Sequence, residues 1–156
     1  MVNTWRAFWR LDGPDRGTAM EAAGGLLFTW IGLRLLNFRR WKRVMEWFTP
    51  REGAWDSAAT PEFQAHARRI ARLEAGAARR IFLRTNCLEQ SLVLWWLLKR
   101  QGIPGELRIG GRKENGRFEA HAWVEFAGAP LDVSGETHLH FAPFDGSLET
   151  VETKAH

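Results

Sequence analysis

A single cysteine, Cys87, in 156 residues leaves this chain without an internal disulfide framework. That scarcity fits a reducing compartment, so the cytoplasm is the expected location. It also argues against zinc. His138 and His140 alternate as strand ligands would, but Cys87 has no second thiol to complete a familiar ligand pattern. Neither a metal ion nor a cofactor is expected. The first ten residues lack the apolar centre of a secretory signal. The apolar helical stretch Ala22 to Leu36 is too short to span a bilayer and contains Arg34. No segment repeats. With 45 % of residues hydrophobic, the chain has enough apolar material for a core and reads as one ordered domain.

Charge is divided unevenly. Residues 1–80 hold fourteen Lys and Arg against eight Asp and Glu, a balance of +6, whereas residues 81–156 hold eight against ten, a balance of −2. The positive half includes the run Arg39-Arg40-Trp41-Lys42-Arg43. Such a run is most often a solvated helix face. Contact with an acidic peptide, a membrane surface or a nucleic acid is the functional alternative.

The chain begins with helical patterns and ends with strand patterns, which makes the fold class α+β. Residues 1–12, rich in Trp and Arg, suggest a short amphipathic helix. Gly13-Pro14-Asp15 marks a turn or cap, and Gly17 to Phe38 is apolar at helical spacing. A second helix is expected over Arg40 to Phe48, ending at Thr49-Pro50. A third opens with Thr60 as cap and Pro61 as its first residue. Its apolar stripe is Phe63, Ala67, Ile70, Leu73 and Ala77, with His66 beside it as a surface residue. The next helix runs from Cys87 to about Arg100, where Gly102 and Pro104 stop it, and Trp95 and Trp96 read as core packing. Strands are then expected at Glu106–Lys113, Arg117–Phe126 and around Pro130–Val133, the first two joined by an Asn115-Gly116 turn.

The chemistry concentrates around Cys87. Asn86 is a good N-cap and Glu89 stands where a reciprocal capping acid belongs, so Cys87 becomes the first helical residue. A thiol there meets the positive end of the helix dipole and unpaired N–H groups, conditions that favour the nucleophilic thiolate. In the strand Phe118–Phe126, Glu119, His121, Trp123 and Glu125 share one face. If Ala127-Gly128 is a two-residue turn, Trp123 faces Asp132 and His121 faces Ser134. Asp132 then lies diagonal to His121 on the same face. Cys87, His121 and Asp132 form a candidate nucleophile, base and orienter. Backbone N–H groups at the helix start, including that of Cys87, are candidate oxyanion donors. Asn86 would add a further donor in competition with its capping role. Trp123 and Glu119 are candidate substrate-site residues. The bland alternatives are a buried structural thiol, a half-buried sheet histidine and a turn-capping aspartate.

Several segments together resemble a family: Cys87-Leu88 with Ser91-Leu92 and Leu94-Trp95-Trp96-Leu97-Leu98, Gly102-Ile103-Pro104, Leu107-Arg108-Ile109-Gly110, and His121-Ala122-Trp123-Val124-Glu125. Over residues 82–133 they are similar to the leader peptidases of lasso-peptide biosynthesis, which belong to the transglutaminase-like cysteine proteases. Residues 1–80 are similar only in their arginine- and leucine-rich helical character. The resemblance implies a papain-like core at residues 81–148, preceded by a basic helical region at 1–80 and followed by a tail at 149–156. It implies cleavage of a ribosomal precursor peptide, which frees the core amine for ring closure. It assigns Cys87, His121 and Asp132 as the triad, with Asp145 as the alternative acid. The implied partners are the precursor's leader, a separate small leader-recognition protein and a macrolactam-forming cyclase. A peripheral membrane contact is also compatible, and nucleic acid is not among the partners. Acyl transfer by the same thiol, or a non-catalytic peptide-binding module, are the competing functions.

Overall fold

In the computed structural model, residues 9–49, 60–81, 83–114, 116–131 and 141–143 are described, and they place four helices before a small antiparallel sheet. Helix α1 spans Gly13–Leu35. It starts one turn earlier than the apolar periodicity suggests, because Asp12 caps it by accepting from the Asp15 N–H. Pro14 sits in the first turn, where a missing N–H has no consequence. Helix α2, Phe38–Trp47, likewise begins two residues before expectation, with Asn37 capping the Arg40 N–H. The two helices meet at Gly32, where any Cβ would collide with the ring of Trp41.

Helix α3, Pro61–Ala78, has Thr60 as its cap, as its sequence predicts. Arg69 ties it to the start of α1 through Asp12 and Asp15, at 2.8 and 2.7 Å. Helix α4, Cys87–Arg100, is the centre of the molecule. Leu92, Val93, Leu97 and Leu98 are fully buried in a cluster with Leu26 of α1 and Ile70 of α3. Trp95 is buried there too, while Trp96 is half-buried at its edge.

The sheet comprises β1 (Glu106–Glu114), β2 (Arg117–Phe126), β3 (Ala129–Pro130) and β4 (Ala142–Pro143), in the order β3-β2-β1-β4. Glu114 pairs with Arg117 across a turn that closes at Gly116, φ +77°. The second turn holds Ala127 and Gly128 at φ +52° and +72°, the left-handed pair that a tight two-residue hairpin requires. Glu125 then pairs with Pro130 and Phe126 with Ala129, and the Leu131 N–H donates to the Val124 carbonyl at 2.9 Å. This is the register that the sequence argument required. Val124 and Phe126 face the core against α4. The expected first helix over 1–12, apart from its last residues, lies outside the described residues, as do residues 132–140 and the tail.

Candidate active site

The start of α4 presents the thiol. The Asn86 side chain accepts the Glu89 N–H at 2.9 Å, and the Glu89 carboxylate accepts the Asn86 N–H at 2.8 Å. The first helical bond runs from Gln90 N–H to Asn86 O. The N–H groups of Cys87 and Leu88 therefore head the helix with no acceptor among the described residues. Cys87 itself is half-buried. Gln90 steadies the preceding loop by donating to Thr85 Oγ1 at 3.0 Å.

The strand beside it presents the imidazole. Gly110 of β1 pairs with His121 of β2. A Cβ at Gly110 would meet Trp123 Cη2 at 2.8 Å and the Ala142 carbonyl at 2.7 Å. Glycine is thus what lets the Trp123 ring and β4 close over this point. His121 stacks on Trp123 at 6.0 Å with 15° between the rings, and Phe141 lies 5.1 Å away on a tilt. Trp123 is held in turn, because its Nε1–H donates to Glu125 at 2.8 Å while Arg108 donates to the same carboxylate at 3.1 Å.

One bond locks helix to strand. Ser91, one turn along from Cys87 on the same helix face, donates to the carbonyl of Ala122 at 2.9 Å. Ala122 directly follows His121. Cys87 and His121 consequently line a common cavity of about 140 Å³, together with Glu74, Gln90, Ser91 and Trp123. A half-buried thiol, an imidazole and unpaired helix-start N–H groups are the parts that acyl chemistry at a carbonyl needs.

Glu119 is on the His121 strand but does not line this cavity. It is exposed and paired with Arg112 at 2.6 Å. Asn86 has its side-chain oxygen engaged in capping. Asp132, Asp145, His138 and His140 lie outside the described residues. Among the described residues, no three His, Cys, Asp or Glu side chains cluster to hold a metal ion. No helix among them is long and apolar enough to cross a membrane.

Two residues of the site escaped sequence reading. Ser91 belongs to the motif that carries the resemblance, but its sequence position assigns it no role, and only the fold shows what its hydroxyl reaches. Glu74 did leave a signal: it falls seven residues after Ala67 and three before Ala77, on the stripe that faces the core. It is 3 % exposed, and burial pushes its carboxyl up to about 8 against the opposing pull of Arg79.

No curated protein and no solved structure matches the chain. A family model does, over residues 32–144, a span that includes α2, α3, the thiol helix and the whole sheet. With that match over most of its length, and a thiol helix packed on an antiparallel sheet that carries the histidine, the chain belongs to the transglutaminase-like superfamily, a fold of the cysteine-protease and acyltransferase type.

Proposed function

We propose that this chain is a cysteine peptidase that removes the leader from a ribosomally synthesised lasso-peptide precursor. The observation that carries the reading is the shared cavity of Cys87 and His121, fixed by the Ser91–Ala122 bond. The Cys87 sulfur attacks the scissile carbonyl, and its proton resides on His121. The tetrahedral oxyanion is met by the N–H groups that head α4. Collapse breaks the C–N bond, and His121 gives its proton to the departing amine, which becomes the free N-terminus of the core peptide. Water, activated by His121, then hydrolyses the thioester and releases the leader as a carboxylate. Asp132 orients His121 in this scheme. The freed amine is what a partner cyclase needs for macrolactam closure, and a separate small protein presents the leader. The cytoplasm is the setting in which such a precursor is made.

The test uses purified chain, a lasso-peptide precursor and a leader-binding protein, with cleavage followed by mass spectrometry. Cys87→Ala should lower turnover by at least about 10⁴-fold while the circular dichroism spectrum stays unchanged. Near wild-type processing by that variant would refute the peptidase. Recovery of an amide-linked product in place of the leader acid, when an amine acceptor is added, would instead identify an acyltransferase. Asp132→Asn should cut turnover on the order of 10⁴-fold with little change in peptide binding. Normal turnover by that variant would move the orienting role to Asp145, or to no acid.

A further inference from the structure

Glu74 is the only polar side chain among the buried residues of α3. Its Oε1 is buried with no hydrogen-bond partner among the described residues. A buried carboxyl oxygen without a protein partner is unfavourable, and a side chain with a purely structural role would normally be paired. Glu74 also lines the Cys87–His121 cavity, on the α3 wall between Ala71 and Ala75, whose small side chains leave it open to that space. The same lining includes the apolar Leu94 and Leu131 and the polar Gln90 and Ser91. Arg79, which caps the end of its own helix, is the charge that acts on it, and burial outweighs that pull, so the carboxyl keeps its proton at neutral pH. The titratable groups sharing the cavity with it are Cys87 from α4 and His121 from β2.

We propose that Glu74 is a substrate-binding residue of the thiol cleft, its carboxyl hydrogen-bonding an amide group of the peptide whose carbonyl Cys87 attacks. A carboxylic acid carries a donor and an acceptor side by side, the complement of a peptide N–H and C=O. An amide fills that need without introducing charge among Ala71, Ala75, Leu94 and Leu131. A lysine or arginine side chain would instead require an ionised carboxylate in the same apolar wall, which desolvation opposes. The assignment rests on Cys87 being a reactive thiol of the cleft, and not on the identity of the precursor.

The experiment alkylates Cys87, the sole thiol, with two reagents. Iodoacetamide offers an amide N–H; N,N-dimethyl-2-iodoacetamide does not. Each rate constant is normalised to that of glutathione. Wild-type protein should prefer iodoacetamide by about fivefold, the value of one net hydrogen bond. Glu74→Gln should keep most of that preference, and Glu74→Leu, similar in size, should erase it. Glu74→Leu should melt at or above the wild-type temperature, because it removes a buried polar group that has no partner among the described residues, and Glu74→Gln, which keeps a polar group there, should melt near it. A fall in melting temperature for both, with the preference intact, would show a structural role and overturn the proposal. Fast alkylation of wild type with no preference would overturn the Glu74 assignment alone. Wild-type alkylation no faster than glutathione's by either reagent would overturn the reactive thiol as well.

Discussion

Arg34 Nη1 stands 3.4 Å from Glu89 Oε1, and this contact joins helix α1 to the capping box that starts the thiol helix. Arg34 is braced for it, with its guanidinium 3.7 Å above the Trp30 ring and its Nη1 donating to the Trp30 carbonyl at 2.9 Å. Glu89 is buried, so its carboxylate depends on Arg34 and on the Asn86 N–H for polar company. The basic first half is therefore built into the site at this point. Glu89→Ala should destabilise the protein by about 1–2 kcal/mol, through loss of the reciprocal cap. Arg34→Met should cost about 1 kcal/mol or less, since the arginine is half exposed. Both should slow alkylation of Cys87. Denaturant midpoints and alkylation rates measured together check this. Unchanged alkylation in both variants would reduce the contact to a packing detail.

Ser91 gives a sharper test of positioning. Ser91→Ala removes one buried hydrogen bond to the strand that carries His121, at a stability cost of about 1 kcal/mol. The thiol and imidazole stand on opposite sides of that bond, so kcat should fall several-fold more than KM rises. Steady-state kinetics on the precursor decide it. A variant that loses stability but keeps kcat would leave Ser91 as a tie between helix and sheet, with no bearing on the reaction.

Glu74 should impose an unusual pH dependence on stability. Its carboxyl titrates at about 8 in the folded protein against an ordinary value of 4.5. Between those values the folded state holds the extra proton, so folding is favoured at lower pH. This contribution is fully present below the unfolded value and is lost as pH rises through the folded one. Across pH 5 to 8 the unfolding free energy from urea titration should fall, by an amount on the order of a few kcal/mol in total. The same titration in Glu74→Gln should be nearly flat across that window. A rising wild-type midpoint would mean that the carboxyl is ionised in the folded protein.

Much of the fold around the thiol was legible because local chemistry dictated it. The Asn86–Glu89 box and the Thr60-Pro61 start are short-range signals that no distant contact overrides. The register of β2 on β3 followed from two residues, Ala127 and Gly128, both in the left-handed region. Apolar periodicity places the starts of α1 and α2 late because it marks where a helix packs. Asp12 and Asn37 mark where each helix begins. Ser91 and Arg34 were not legible, because their partners lie 31 and 55 residues away and only the assembled fold brings them into contact. Glu74 was overlooked for a different reason. Acids on helices are so often solvated that periodicity alone gives no reason to bury one on the apolar stripe.

The outer surface of the first half combines exposed cations with exposed apolar side chains. Arg40 and Arg43 of α2 are exposed and Trp47, one turn further on, is 81 % exposed. On α1, Met20, Leu27, Ile31 and Leu35 are exposed at spacings close to whole helical turns, while Ala22, Leu26 and Thr29 on the other side are buried. One side of α1 thus covers the core, as a purely structural helix would, and the other offers apolar surface close in sequence to a cluster of cations. Under the function proposed above, such a combination would suit an acidic, partly apolar partner: the leader, its recognition protein or an anionic membrane face. Arg40→Glu with Arg43→Glu should change stability by no more than about 0.5 kcal/mol, since neither charge is buried. Affinity for the leader–partner complex should nevertheless fall, and its dependence on salt should weaken, because long-range attraction between opposite charges is what salt screens. Titrations by calorimetry at several ionic strengths separate the outcomes. Binding that is the same in wild type and variant at every salt concentration would show that these cations only solvate the surface, and that α1 and α2 serve the thiol helix from behind.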